Sequence, residues 1–97
     1  MLHFGEILSK DICIAYTADV DGGYKVVGHA SYNKDNKMTN AYGESTDAEG
    51  TVIARFSAYG GEDMRTNLND VVSGKMDAAV MVTEEVLADL SAGYQEA

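Results

Sequence analysis

The chain contains no proline, no tryptophan, only one cysteine and only seven basic residues among 97. A single cysteine excludes an internal disulfide, and secreted domains of this size usually need such crosslinks, so we expect a reducing, cytoplasmic environment. No apolar run is long enough to span a bilayer, and the N-terminus lacks the basic and apolar segments of a signal peptide. These absences argue against a secreted or membrane protein.

The remaining composition is that of a folded, acidic protein. Hydrophobic residues make up 45% of the chain, which predicts one domain over residues 1–97. The 16 acids and 7 bases give a formal net charge of −9, and eleven of the acids but only three of the bases lie in residues 44–97. This second half repels phosphates and attracts basic surfaces, which argues against direct nucleic-acid binding. An alternative explanation of the same net charge is that it only keeps the protein soluble and serves no specific partner.

The clearest pattern is the alternation of apolar and polar side chains over residues 12–32, on both sides of an Asp-Gly-Gly segment. It predicts a β-hairpin closed by a three-residue loop, in which Ile14 faces Ala30 and Tyr16 faces Gly28. A shift by one residue would mix the two faces, so burial selects this register.

A third antiparallel strand is predicted over residues 38–44, after a polar turn cluster. If Tyr32 faces Met38, then Tyr42 lies opposite Gly28 and covers the backbone that glycine leaves bare. Asn40 would interrupt the apolar face of this strand, which favours an edge position in the sheet.

Residues 45–61 fit two patterns. Four apolar residues alternate as in a strand: Val52, Ala54, Phe56 and Ala58. The segment from Thr46 to Glu49 has the form of a helix capping box, and Gly60 lies where a C-terminal cap would fall. We therefore predict a helix over residues 46–59.

The rest of the chain completes an α+β pattern. We predict a second helix over residues 62–73, a short buried strand over 78–82 and a final helix capped by Thr83. The predicted fold is α+β, a three-stranded antiparallel meander plus a short fourth strand, with two to three helices packed on one face.

No catalytic or metal-ligating cluster is evident. Cys13 and His29 share one face of the predicted hairpin and His3 is a third candidate ligand, but no Cys-x-x-Cys or His-x-x-x-His spacing accompanies them. The glycine pairs lack the Lys-Ser/Thr of a phosphate loop, and no serine lies in a nucleophile elbow. We predict a protein that is not an enzyme and holds neither a metal nor a cofactor.

The predicted order of elements resembles the front part of the ribonuclease H-like fold: three strands, a helix with an acid near its start, and a strand followed by acids. The resemblance places Asp19 at the first-strand aspartate, Glu49 at the first-helix glutamate and Glu84 at the acid after the fourth strand. In that family such carboxylates hold two divalent metals for phosphodiester cleavage. The resemblance implies an alternative function as a metal-dependent nuclease, although the third acid here is glutamate and an extra helix intervenes.

The segment DGGYKVVGHA at residues 21–30 resembles a hairpin of the small phage-borne anti-CRISPR proteins. Those proteins are single-domain, cytosolic and often acidic, and they lack catalytic motifs. The resemblance implies an inhibitor that binds a larger protein, and it carries over no binding residue.

The charge asymmetry and the lack of a catalytic cluster together predict a non-enzymatic protein-interaction module. It would dock its acidic second half on a basic, nucleic-acid-binding surface of a larger protein, as a nucleic-acid mimic does. A homodimeric adaptor is a further alternative, since six tyrosines and five methionines leave room for an apolar self-contact. The predicted partner-binding residues are all acids: Glu62, Asp63, Asp70, Glu84, Glu85 and Asp89.

Overall fold

The computed structural model describes residues 2–4, 12–60 and 64–93 of the chain. These residues form six strands followed by one helix: β1 (Leu2–Phe4), β2 (Ile12–Val20), β3 (Tyr24–Tyr32), β4 (Met38–Thr46), β5 (Val52–Tyr59), β6 (Arg65–Asn69) and α1 (Met76–Ser91). Each strand pairs antiparallel with the next one in the chain, so the sheet is a meander in the order β1 to β6.

The β2–β3 hairpin has the predicted register. Ile14 pairs with Ala30 and Tyr16 with Gly28, and every even position of β2 from Ile14 onward is buried. In the connecting turn the two glycines adopt φ angles of 98° and 83°, a region of backbone conformation that favours glycine. Side-chain alternation and turn chemistry agree in this segment, and the prediction is confirmed.

The third strand forms as predicted but with a shifted register. A β-bulge next to Ser31 inserts Thr39 as an extra residue in β4, so that Tyr42 pairs with His29 rather than with Gly28. The Thr39 hydroxyl donates a hydrogen bond of 3.2 Å to the Ser31 carbonyl. The prediction that Tyr42 covers Gly28 is therefore wrong, because one inserted residue moves the following side chains to the other face.

The same bulge explains a polar residue in an interior strand. β4 lies between β3 and β5, so the predicted edge position is wrong. Met38 and Ala41 are buried whereas Asn40 is exposed, since the inserted residue changes the alternation between them. Asn40 therefore does not interrupt the apolar face.

Residues 52–59 form β5, and the predicted helix over residues 46–59 is wrong. The alternation pattern describes the segment correctly, since Ala54, Phe56 and Ala58 are all buried. These side chains pack on the same face of the sheet as the buried residues of β2 and β4.

The capping signal that suggested a helix belongs to the β4–β5 turn. The Asp47 carboxylate accepts hydrogen bonds from the amides of Glu49 and Thr51 at 2.9 and 3.0 Å. Short polar side chains stabilise turns and helix starts through the same kind of bond to backbone N–H groups. The predicted cap residue, Thr46, instead donates a hydrogen bond of 3.4 Å to the Lys25 carbonyl. The polar segment 46–49 therefore fits both structures, and sheet pairing decides between them.

The last third of the chain also differs from the prediction. β6 occupies residues 65–69 inside the segment predicted as a helix over 62–73, of which residues 62–63 lie outside the described part of the chain. Residues 78–82, predicted as a strand, form the first turns of α1, and Thr83 lies within the helix rather than at its cap. A five-residue apolar run has the length of a strand, but here it is part of a longer helical stripe.

α1 packs on one face of the sheet, the inner face, where it contacts β2, β3, β4 and β5. Its buried residues recur at helical spacing: Ala79, Val82, Thr83, Val86 and Leu90. They meet Ile14, Val26 and Tyr32 in the main core. The α+β class is confirmed, with more strands and fewer helices in the described residues than predicted.

Two glycines allow aromatic side chains to cross the inner face. Tyr16, Gly28, Gly43 and Phe56 are paired in one row across β2 to β5. Because the two central positions lack a side chain, the Tyr16 hydroxyl reaches across them and donates a hydrogen bond of 3.0 Å to the Tyr42 carbonyl. The row therefore places two aromatic side chains over the backbone of the two central glycines.

Candidate protein-interaction surface

α1 presents a row of exposed acids. Asp77, Glu84, Glu85 and Asp89 are all exposed and lie outside the buried stripe of the helix, and α1 contains no lysine or arginine. We call these four residues the helix acids. Their carboxylates therefore project from one helix without a basic neighbour in that helix.

The helix acids account for most of the net charge of the described residues. Those residues hold eleven acids and six bases, and four of the acids are the helix acids. The remaining seven acids are nearly balanced by the six bases, of which five lie in the sheet and its turns and one, Lys75, is the N-cap of α1. The negative charge of the described chain is thus concentrated on the helix side of the molecule.

One helix acid lies where it lowers helix stability. Asp77 is in the first turn, where the helix dipole favours negative charge, but Asp89 is in the last turn, and no basic residue is present there. A carboxylate at that end destabilises a helix by about 0.3–1 kcal/mol. Helix stability therefore does not explain the acid at position 89.

Two methionines of α1 are exposed, and one of them, Met81, lies among the helix acids. Met76 is 53% exposed and Met81 is 37% exposed. Met81 follows Asp77 by four residues and precedes Glu84 by three, so the three side chains share a helix face. Methionine is a flexible apolar side chain that adapts to varied partner surfaces. The acidic face therefore also offers an apolar contact.

Asp70 does not belong to this face. The Arg55 guanidinium donates hydrogen bonds to Glu44 at 3.0 Å and to Asp70 at 3.1 Å. Arg55 alternates with buried neighbours in β5 and so projects from the outer face, which is the sheet face opposite α1. Asp70 is thus ion-paired away from the helix, and its charge is partly offset.

The six predicted partner-binding residues therefore separate into three groups. Glu84, Glu85 and Asp89 lie together on α1. Asp70 lies at the end of β6 with Arg55. Glu62 and Asp63 lie outside the described residues.

A groove runs between β6 and α1. It has a volume of about 260 Å³ and is lined by Thr66, Leu68, Val80, Thr83, Glu84 and Leu87. Thr83 is only 3% exposed, and its Oγ1 has no hydrogen-bond partner in the described part of the chain. A buried hydroxyl without a partner costs about 1–3 kcal/mol. The groove surface combines the apolar side chains of Leu68, Val80 and Leu87 with the polar ones of Thr66 and Glu84.

The outer face is apolar in its centre. Tyr42 stacks on His29 with ring centroids 5.2 Å apart, and its hydroxyl lies 2.7 Å from His29 Nδ1. Val27, Tyr42 and Tyr59 are 49%, 53% and 48% exposed. The charged residues around them have both signs: Asp19, Lys25, Glu44, Arg55, Arg65 and Asp70. The outer face therefore differs from the helix face, where the charge is of one sign.

Metal ligands do not gather in the described residues. Within residues 12–60 and 64–93, no group of three or more histidines, cysteines or acids is placed to hold a metal ion. The structure thus does not bring Asp19, Glu49 and Glu84 together as the ribonuclease H-like resemblance implies. Cys13 pairs with Ser31 and not with His29.

The sequence prediction missed Asp77, Met81 and the groove. All three depend on α1 starting at Met76, whereas residues 78–82 were assigned to a strand. The signal that identifies the helix is the apolar spacing of Ala79, Val82, Val86 and Leu90, which continues through both predicted elements.

Comparison of the chain with protein-family models, with curated proteins and with solved structures gives no match. In the part of the chain that the structure describes, no helix has the length and apolar character needed to cross a bilayer.

Proposed function

We propose that the protein is a non-enzymatic interaction module that binds a larger protein through the helix acids. The observation that carries the proposal is the separation of charge. α1 holds four exposed acids and no base, whereas the rest of the described chain is close to balance. A surface of one charge sign on an otherwise balanced fold selects partners of the opposite sign.

The physical role of the helix acids is to steer association. Clustered charge raises the rate at which an oppositely charged partner is captured by about 10- to 1,000-fold, and salt screens this effect. Met81, which lies among the helix acids, then supplies an apolar contact at short range. Long-range attraction and short-range packing are thus provided by the same helix.

The finer proposal concerns the partner. Its basic surface is one that binds nucleic acid, and the helix acids occupy the place of the phosphates. The support is that arginine and lysine side chains arranged for phosphates are also complementary to a row of carboxylates. The protein would then act as an inhibitor, as the anti-CRISPR resemblance implies. Addition of duplex DNA or RNA to the complex tests this, because a mimic competes with it.

A pull-down from a lysate of the source cells tests the docking surface itself. The helix triple, Glu84→Gln, Glu85→Gln and Asp89→Asn, removes three charges from α1. The turn triple, Asp21→Asn, Asp35→Asn and Glu49→Gln, removes three charges from exposed turns and serves as the matched control. We expect the helix triple to lose the captured protein and the turn triple to retain it. Equal retention by both triples would contradict the proposal.

A homodimeric adaptor is a second candidate, and the outer face supports it. Val27, Tyr42 and Tyr59 are exposed there among charges of both signs, so two copies can meet on this face without the repulsion of the helix acids. Sedimentation equilibrium decides it. A dimer that Tyr42→Lys converts to a monomer supports the adaptor, and a monomeric wild-type protein rules it out.

The nuclease alternative has no supporting observation in the described residues. Asp19, Glu49 and Glu84 belong to no metal-holding group there. Isothermal titration with magnesium and manganese tests it directly.

A further inference from the structure

β6 is an edge strand that the rest of the described chain leaves open. It is last in the strand order, and its second edge pairs with no described residue. Its sequence, RTNLN, contains no proline, and its single charged residue, Arg65, lies at the start of the strand, so residues 66–69 carry none of the residues that commonly protect sheet edges. All of its residues except Leu68 are exposed. As far as the described residues extend, the edge is therefore open to main-chain pairing.

The groove between β6 and α1 lies directly beside this edge. Thr66 and Leu68 contribute the sheet side, and Val80 and Leu87 contribute the helix side. Thr83 also lines the groove, although its hydroxyl oxygen is itself closed to solvent. Leu68 pairs with the buried Phe56, so the Leu68 side chain is on the inner face with α1. An added strand would direct alternate side chains into this groove.

We propose that β6 and this groove bind an extended segment of a partner protein, which adds to the sheet as a further strand. One aliphatic side chain of the segment packs between Leu68 and Leu87, and a basic side chain two residues away meets the Glu84 carboxylate. The inference rests on the proposed function in one respect, that the occupant is part of a protein partner. It adds a second contact surface and the sequence character of the segment.

The size of the groove favours a peptide side chain over a small-molecule ligand. Ligand pockets usually measure about 300–1,000 Å³ and enclose their ligand. This groove has a volume of about 260 Å³ and opens along its length. It is large enough for one or two side chains of a strand whose backbone is held by the β6 edge, which is how strand addition obtains affinity and specificity.

Charge favours a different protein over a second copy of this chain. If β6 paired with β6 of another copy around a two-fold axis, both helices would lie on the same side of the joined sheet. The helix acids of one copy would then approach those of the other, including the two Glu84 carboxylates. Like charges at such an interface oppose association, whereas a basic segment is attracted by the same carboxylate.

Selection from a phage-displayed library of random nine-residue peptides tests the proposal. We expect enrichment of peptides in which aliphatic and basic residues are separated by one position. The most enriched peptide is then titrated into ¹⁵N-labelled protein, where the backbone amides of residues 65–69 should shift and gain protection from hydrogen exchange. No enrichment, or shifts confined to α1, would overturn the proposal.

Two charge reversals on adjacent residues separate the groove from the acidic face. Glu84 lines the groove, whereas Glu85 is exposed beside it, and both variants change the net charge equally. We expect Glu84→Lys to weaken the selected peptide by about tenfold or more and Glu85→Lys by less than about threefold. Equal weakening would overturn the groove proposal and leave docking through the helix acids intact. The amide resonances of β6 could also shift with protein concentration in the absence of peptide. Such shifts would show that a second copy of the chain pairs with the edge, and they too would overturn the proposal.

Discussion

The hydroxyl of Tyr32 donates a hydrogen bond of 2.7 Å to the carbonyl oxygen of Leu90. Tyr32 ends β3 and Leu90 lies in the last turn of α1, and both side chains are fully buried. The same carbonyl also accepts a bond of 3.2 Å from the Gly93 amide. This contact fixes the C-terminal end of the helix on the sheet and so sets the position of the helix acids.

Removal of this hydroxyl should weaken the fold without abolishing it. We predict that Tyr32→Phe lowers the free energy of unfolding by about 0.5–1.5 kcal/mol, because Leu90 keeps its second donor, Gly93. Urea denaturation followed by circular dichroism measures the change. Tyr59→Phe, at an exposed position of the outer face, is the control and should be within about 0.5 kcal/mol of wild type. An equal effect of both substitutions would show that the buried bond contributes nothing specific.

The stability of the protein should fall at high pH. Burial raises the pKa of Tyr32 from 10 to about 12. Burial, followed by the nearby phenols of Tyr32 and Tyr42, also raises the pKa of Tyr16 above its ordinary value. A phenol whose pKa is higher in the folded chain stabilises the fold fully below the unfolded pKa, and this stability is lost as the pH rises through the folded pKa.

For Tyr32 the window of loss runs from pH 10 to about pH 12. Each unit of raised pKa corresponds to about 1.4 kcal/mol. Urea titrations across this window should show a steep decline for wild type and a shallower one for Tyr32→Phe. Parallel declines would mean that Tyr32 ionises equally easily in the folded and unfolded chains.

Gly43 should tolerate no side chain. A methyl group at this position would lie 2.5 Å from both the Phe56 ring and the Tyr16 hydroxyl. Overpacking of this kind costs about 1–3 kcal/mol, so we predict a loss in that range or above it for Gly43→Ala. The smaller side chain of Phe56→Leu should relieve part of it, so the double variant loses less stability than the sum of the single ones. If chemical denaturation shows that the two losses in free energy of unfolding simply add, the Phe56 ring does not pack against Gly43 as the structure shows.

The two ends of α1 should respond oppositely to loss of charge. We predict that Asp77→Asn destabilises the protein by about 0.3–1 kcal/mol and that Asp89→Asn stabilises it by a similar amount, because the helix dipole favours an acid only at the N-terminal end. Thermal and urea unfolding at low ionic strength measure both. If Asp89→Asn also destabilises the fold, Asp89 has a structural role.

The sequence was most informative where neighbouring strands are joined by tight turns. In the β2–β3 hairpin, the alternation around Ile14 and the glycines of the turn specify the same register, so local information is sufficient. The prediction of the β3–β4 register failed at Thr39, because a β-bulge adds one residue there and the apolar pattern does not indicate it. Sequence prediction failed again at residues 46–59, where a turn aspartate and a helix cap use the same bonds.

The candidate surface could be predicted only in part. The excess of acids in the second half is visible from composition, and Glu84, Glu85 and Asp89 do lie together. Asp70 could not be separated from them, because its ion pair with Arg55 depends on residues 55 and 70 being brought together by β5 and β6. The groove at Thr83 could not be predicted for the same reason, because its two sides belong to β6 and α1, which only tertiary packing brings together.

The most direct test of the account is the ionic-strength dependence of the association rate constant with the captured partner, measured for the wild type, the helix triple and the turn triple. We predict that the helix triple slows association by about tenfold at low salt and that the difference disappears above the screening range, near 1 M. The turn triple should follow the wild type at every salt concentration. Identical salt dependences for the helix triple and the turn triple would contradict the claim that α1 is the docking surface.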